Sequence, residues 1–161
     1  MKSWLALYAG AFAVNVLLGW LTANGTLPTR HTDALADDLV RIVTGNARAS
    51  CTLFLLSLST FGVGGLVFFA LNGFAVGLML GMVTADKAVY LLLYAPLEFV
   101  GFILVGWAAL QIVRSILRWC GGSQLRVPFD AVGNTLCAAA MWLAAAAVLE
   151  IAAILLAWGR G

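Results

Sequence analysis

The chain is poor in charge. Lysine, arginine, aspartate and glutamate together make up 10% of its 161 residues, where a soluble domain carries about a quarter. That is too little to cover a globular surface, so lipid must act as solvent for most of the protein. The formal net charge is only +2, without the dense basic face that nucleic acid requires, so nucleic-acid binding is excluded. There is a single histidine, His31, and the three cysteines, Cys51, Cys120 and Cys137, show no CxxC spacing. An odd cysteine count and a lone histidine argue against a disulfide framework and a Cys/His zinc site, so no metal or cofactor is expected. Cys51 and Cys137 stand at the edges of apolar runs, where cysteine packs as a small hydrophobe. Nucleophile elbows, glycine-rich phosphate loops and HExxH motifs are also missing.

Apolar residues are abundant, at 63% of the chain, and they are accompanied by 17 glycines. The first apolar run, 4–22, is close to the roughly 20 residues that cross a bilayer. It is too long for the ~7–15-residue core of a signal peptide, and Leu21-Thr22-Ala23-Asn24-Gly25 is a poor cleavage site. It reads as a retained first span. Asn15 lies in its middle, in a position suited to bonding across to another helix.

The next segment, up to Ser50, is the one long polar stretch. Gly25 and Pro28 break the chain, and Thr32 is placed to cap a helix ahead of Asp33. Leu35, Leu39, Ile42 and Val43 then form one apolar stripe, with Asp33, Asp37, Asp38 and Arg41 mainly opposite. Asp37 and Arg41 are spaced to pair at i,i+4. The pattern predicts an amphipathic helix over 32–44, at the membrane interface or against the bundle, ending at Gly45-Asn46.

Three further stretches follow. The second span is 51–70, and the Leu71-Asn72-Gly73 step is expected to break the chain before a short or re-entrant run, 73–85. Gly73, Gly77 and Gly81 fall every fourth residue, a small-residue stripe that lets another helix approach closely. The run 88–118 holds Pro96, which should kink or divide it, and Glu98. The last span is 135–158, with Glu150 inside it. The fold class expected is an all-α integral membrane protein, a single helical bundle of about five hydrophobic segments plus one interfacial amphipathic helix. Orientation is a near tie: one side holds Lys2, Arg114, Arg118 and Arg126, the other Arg30, Arg41, Arg48, Lys87 and Arg160.

From Asn46 onward the order of residues resembles the stage II sporulation protein M family of bacterial membrane proteins. An asparagine, Asn46, precedes a span interrupted by Gly62, Gly64 and Gly65. A Leu71-Asn72-Gly73 step follows, with Gly77 four residues on. The family then writes Pro-His-Gly-x-x-Glu where this chain reads Leu93-Tyr94-Ala95-Pro96-Leu97-Glu98, keeping the glutamate and placing Tyr94 at the histidine. Trp107-Ala108-Ala109-Leu110 stands where the family shows an Ala-Gly-Leu turn. The resemblance covers 46–110. It implies a multi-pass protein of the bacterial cytoplasmic membrane that works with partners. Some members serve peptidoglycan-remodelling complexes, and others stand beside bacteriocin and other peptide genes.

Glu98 is the leading candidate site residue. A carboxylate inside a span is costly unless something compensates for it, and such groups carry function by default. Asn72 adjoins another expected helix break and is a candidate neighbour; Tyr94 and His31 complete the set of candidate acid–base groups. Glu150 is explained by a hydrogen bond to a neighbouring helix. The His31, Asp33, Asp37, Asp38 cluster is explained by the favourable dipole at a helix N-terminus. Three functions are compatible with this pattern. The first is a membrane-embedded subunit, bound to a different protein in a complex that handles a peptide or cell-envelope substrate. The second is a subunit lending acid–base residues to a peptide-modifying enzyme. The third is an export or immunity component for a membrane-active peptide. An enzyme needs polar groups converging on one pocket, whereas transport needs a continuous polar route between the two faces.

Overall fold

The computed structural model describes residues 2–25 and 35–158, and every regular element among them is helical. The helices are α1 (Lys2–Thr22), α2 (Leu35–Ser59), α3 (Val63–Met82), α4 (Ala85–Cys120) and α5 (Phe129–Trp158). All five are long and apolar enough to cross a membrane. The protein is therefore an all-α, multi-pass membrane bundle whose outward leucines, valines and tryptophans meet lipid.

The expected breaks are placed differently. α2 runs straight through Gly45-Asn46, which had read as a stop, so the amphipathic stretch and the start of the second span are one helix. The part of that stretch before residue 35 lies outside the described residues. α3 runs straight through Asn72-Gly73, so 73–85 is neither a separate run nor re-entrant. α4 continues across Pro96, and α5 begins at Phe129, before the predicted 135. The common cause is that a broken helix in an apolar medium strands N–H and C=O groups that no water can satisfy. Weak helix formers therefore stay helical. Asn72 Nδ2 donates to the Phe68 carbonyl at 2.9 Å. Asn15, expected to bond across helices, instead donates to Ala11 of its own helix at 2.8 Å.

The true break is Thr60-Phe61-Gly62. Phe61 and Gly62 both take left-handed backbone angles, with φ of 53° and 97°, the conformation that ends a helix. The Gly62 N–H donates to the Ser57 carbonyl at 2.7 Å. The Thr60 hydroxyl accepts from the Gly64 N–H at 2.6 Å, covering a donor at the start of α3.

α1 and α3 run parallel along a glycine seam. Gly73 lies on the backbone of Phe12, Gly77 on that of Val16 and Trp20, and Gly81 against Ala23 and Trp20. Gly19 returns the contact from α1, against Phe74 and Leu78. α4 and α5 pair antiparallel, with Gly101 against Leu143 and Gln111 Nε2 donating to Thr135 Oγ1 at 3.1 Å. Between these pairs lies an aromatic core. Tyr8 and Phe69 have ring centroids 4.9 Å apart, and Phe12 stacks on Phe99 at 4.2 Å. α2 joins this core through fully buried Leu53 and Ser57, and joins α5 through Ile42 against Ala147 and Ile154.

Candidate functional site

Glu98 lies two residues past Pro96 on α4, half-buried, and turns toward α2. The group opposite is the carboxamide of Asn46, within side-chain hydrogen-bonding reach. Asn46 Nδ2 is buried and has no other partner, so the carboxylate is the acceptor on offer to it. The depth of this pair follows from its neighbours. Phe99, next in chain, stacks on Phe12, which is midway along α1. Asn46 is itself close to the middle of α2. The carboxyl–carboxamide pair therefore sits at about mid-depth in the bundle, where a lone carboxylate costs most.

The other sequence candidates divide. Tyr94 stands one turn before Glu98 on α4, half-buried, so it shares the face of the glutamate. Asn46, not Asn72, is the side chain opposite Glu98; the Asn72 amide donates to the Phe68 carbonyl of its own helix. His31 and Asp33 lie outside the described residues. Asp38 is only 13% exposed and pairs with Arg41 at 3.0 Å, replacing the predicted Asp37–Arg41 pair. Glu150 is half-buried on α5 and also engaged. Among the described residues no three His, Cys, Asp or Glu side chains gather as metal ligands, and all three cysteines are free and exposed.

A second polar group lies toward the α2–α3 turn. The Tyr8 phenol donates to the Gly62 carbonyl at 3.1 Å, with the fully buried Ser57 hydroxyl beside it. Gly65 makes this possible, because a Cβ there would sit 2.6 Å from both hydroxyl oxygens. Asn46, Ser50 and Ser57 thus form a polar line on the inner face of α2, at i, i+4 and i+11. The line is interrupted. Leu53 is fully buried between Ser50 and Ser57, which are about 10 Å apart along the helix. Along α2 the polar groups do not join into a route from one face to the other. The inner line escaped the sequence reading because Asn46 was assigned to a helix end; the i, i+4 spacing of Asn46 and Ser50 was its available signal.

The outer face of α2 was missed as well. Arg48 is exposed, two residues past Asn46 and therefore near mid-depth. Thr44 and Thr52 flank it one turn to either side, both exposed. In the sequence Arg48 counts only toward orientation, because the Gly45-Asn46 stop signal before it reads as the end of a helix rather than the middle of a spanning one.

Comparison of the chain with protein-family models, curated proteins and solved structures finds no match.

Proposed function

We propose that the protein is the membrane-embedded subunit of a bacterial cytoplasmic-membrane complex that handles a peptide or cell-envelope substrate. The observation that carries this reading is the outward face of α2, where an arginine and two threonines stand on the middle of a spanning helix. Hydrocarbon is a poor neighbour for such a face, and another protein is a good one. The class of substrate comes from the resemblance to the stage II sporulation protein M family over 46–110. A second reading, a subunit lending acid–base groups to a peptide-modifying enzyme, is favoured by Glu98 opposite Asn46 at mid-depth with Tyr94 one turn away.

The test is extraction of the tagged chain from its native membrane in mild detergent, followed by native mass spectrometry. The expected species contains the 17.0 kDa chain in fixed stoichiometry with a different polypeptide. Deletion of either component should produce the same defect in peptide maturation or envelope assembly. A chain that migrates alone, and whose deletion changes neither process, overturns the reading.

A further inference from the structure

Resting on the reading of the chain as a partner subunit, we infer that the outer face of α2 seats a transmembrane helix of a different protein, one carrying an aspartate or glutamate at mid-depth opposite Arg48. Asp37, Arg41, Thr44, Arg48, Thr52 and Ser59 recur every three to seven residues and are all exposed, so they form one stripe. It lies opposite buried Ile42, Leu53 and Ser57. α2 is the least apolar of the five spanning helices, and this stripe is a large part of the reason.

Charge decides the occupant. Arg41 is neutralised within the chain by Asp38, at 3.0 Å. Arg48 makes no ion pair or hydrogen bond among the described residues. Lipid phosphate is a poor match for it. From mid-depth the headgroups are about 15 Å away, and a side chain leaning toward the N-terminal end of α2 covers only part of that distance. A second copy is a worse match. Copies share one orientation in the bilayer, so a two-fold axis along the membrane normal would set Arg48 against Arg48, like charges at one depth. A carboxylate on a foreign helix meets the guanidinium at its own level as a charge-assisted pair.

The flanking groups fit the same occupant. Thr44 and Thr52 stand one turn above and below Arg48. The Thr44 hydroxyl donates to the Val40 carbonyl of its own helix at 2.7 Å and keeps acceptor capacity outward, and hydroxyls of this kind bond helices together in membranes. Toward the Ser59 end the stripe runs into a shallow, open groove between side chains of α2 itself, Thr52, Leu55, Leu56, Leu58 and Ser59. It can take an apolar side chain two turns along from the carboxylate. The seat extends from Arg41 to Ser59, about 27 Å, so the occupant is a full span rather than a loop.

The experiment places the photoreactive residue benzoyl-phenylalanine at Thr44 or Thr52 in the full chain in native membranes. Controls carry it on the lipid-facing side of α5, at Met141 or Val148, which are 75% and 65% exposed. The expected result is one discrete protein adduct from the α2 positions alone, with the cross-linked peptide mapping to a spanning segment that holds an Asp or Glu at mid-span. Arg48→Glu should lower the adduct yield at least tenfold, and exchanging that partner carboxylate for arginine should restore it. The rescue separates a lost contact from a lost fold. An adduct with lipid only, with a second copy, or with a segment lacking a carboxylate overturns the inference, as does an unchanged yield in Arg48→Glu. Protein adducts from α5 but not α2 overturn it while leaving the partner-subunit reading in place. Adducts from neither face overturn both.

Discussion

Gly77→Ala tests the α1–α3 seam most directly. A Cβ added at Gly77 would sit 2.8 Å from Trp20 N and from the Val16 carbonyl carbon, and closer still to the Val16 carbonyl oxygen. Those atoms are backbone, so no side-chain rotation relieves the contact. Carbon contacts settle at about 3.5–4.0 Å, which requires α1 and α3 to separate by roughly 1 Å at that level. A gap of that size forfeits about a quarter to a half of the attraction at each affected contact, and the seam is continuous with Gly73 on Phe12 and Gly81 on Ala23. Overpacking of this kind costs about 1–3 kcal/mol. Gly10→Ala, on the partner helix α1, is the control, because nothing lies within 4 Å of the Cβ it would add. Thermal unfolding in mild detergent, followed by circular dichroism, should show Gly77→Ala melting below Gly10→Ala by roughly 2–4 °C per kcal/mol lost. Gly77→Leu should fall further and lower the yield of the assembled complex. Equal melting of the two alanine variants would refute the close-approach argument.

Two further expectations use the same measurement. Tyr8→Phe should lower stability by about 0.5–1.5 kcal/mol, because the Gly62 carbonyl loses one of its two donors, keeping the Gly65 N–H, and buried Ser57 loses its neighbour; melting identical to the wild type would mean that the phenol contributes nothing. Glu98→Gln should melt like the wild type, whereas Glu98→Leu should cost about 1–3 kcal/mol by leaving the Asn46 amide buried without a partner. Full activity of Glu98→Gln in the reconstituted complex would exclude proton transfer by this side chain and leave it as a staple between helices.

The class of fold was legible because apolar run length is a composition property, and no local detail alters it. Helix ends were less legible. Gly45-Asn46 and Asn72-Gly73 are break signals calibrated on chains in water, where solvent accepts the freed backbone groups. In an apolar bundle the same pairs stay helical, and Gly73 is there for the backbone of Phe12 rather than for a turn. The real turn carries only one glycine, Gly62, after a phenylalanine in the left-handed region, and this is a weak pattern to read. Glu98 stood out as a carboxylate in a span. Its partner did not, because Asn46 is distant in sequence and meets it only through the packing of α2 on α4.

That packing also explains why α2 tolerates two polar faces. A spanning helix ordinarily hides one polar line inside a bundle and shows lipid an apolar back. α2 instead carries Asn46, Ser50 and Ser57 inward and Arg41, Thr44, Arg48 and Thr52 outward. The inward line has neighbours within the chain: Glu98 on α4 faces Asn46, and Tyr8 on α1 faces Ser57. Asn46 and Ser57 are each faced by a group on another helix, and these two contacts fix the rotation of α2 about its axis. Once the rotation is fixed, the outer stripe cannot turn inward to hide Arg48 without pulling Asn46 away from Glu98. The two faces are therefore coupled. Loss of the Glu98–Asn46 contact frees α2 to rotate and would withdraw the Arg48 stripe from the partner helix we propose. In Glu98→Leu, cross-linking from Thr52 should then fall together with stability, while Glu98→Gln, which keeps a polar group opposite Asn46, should retain both.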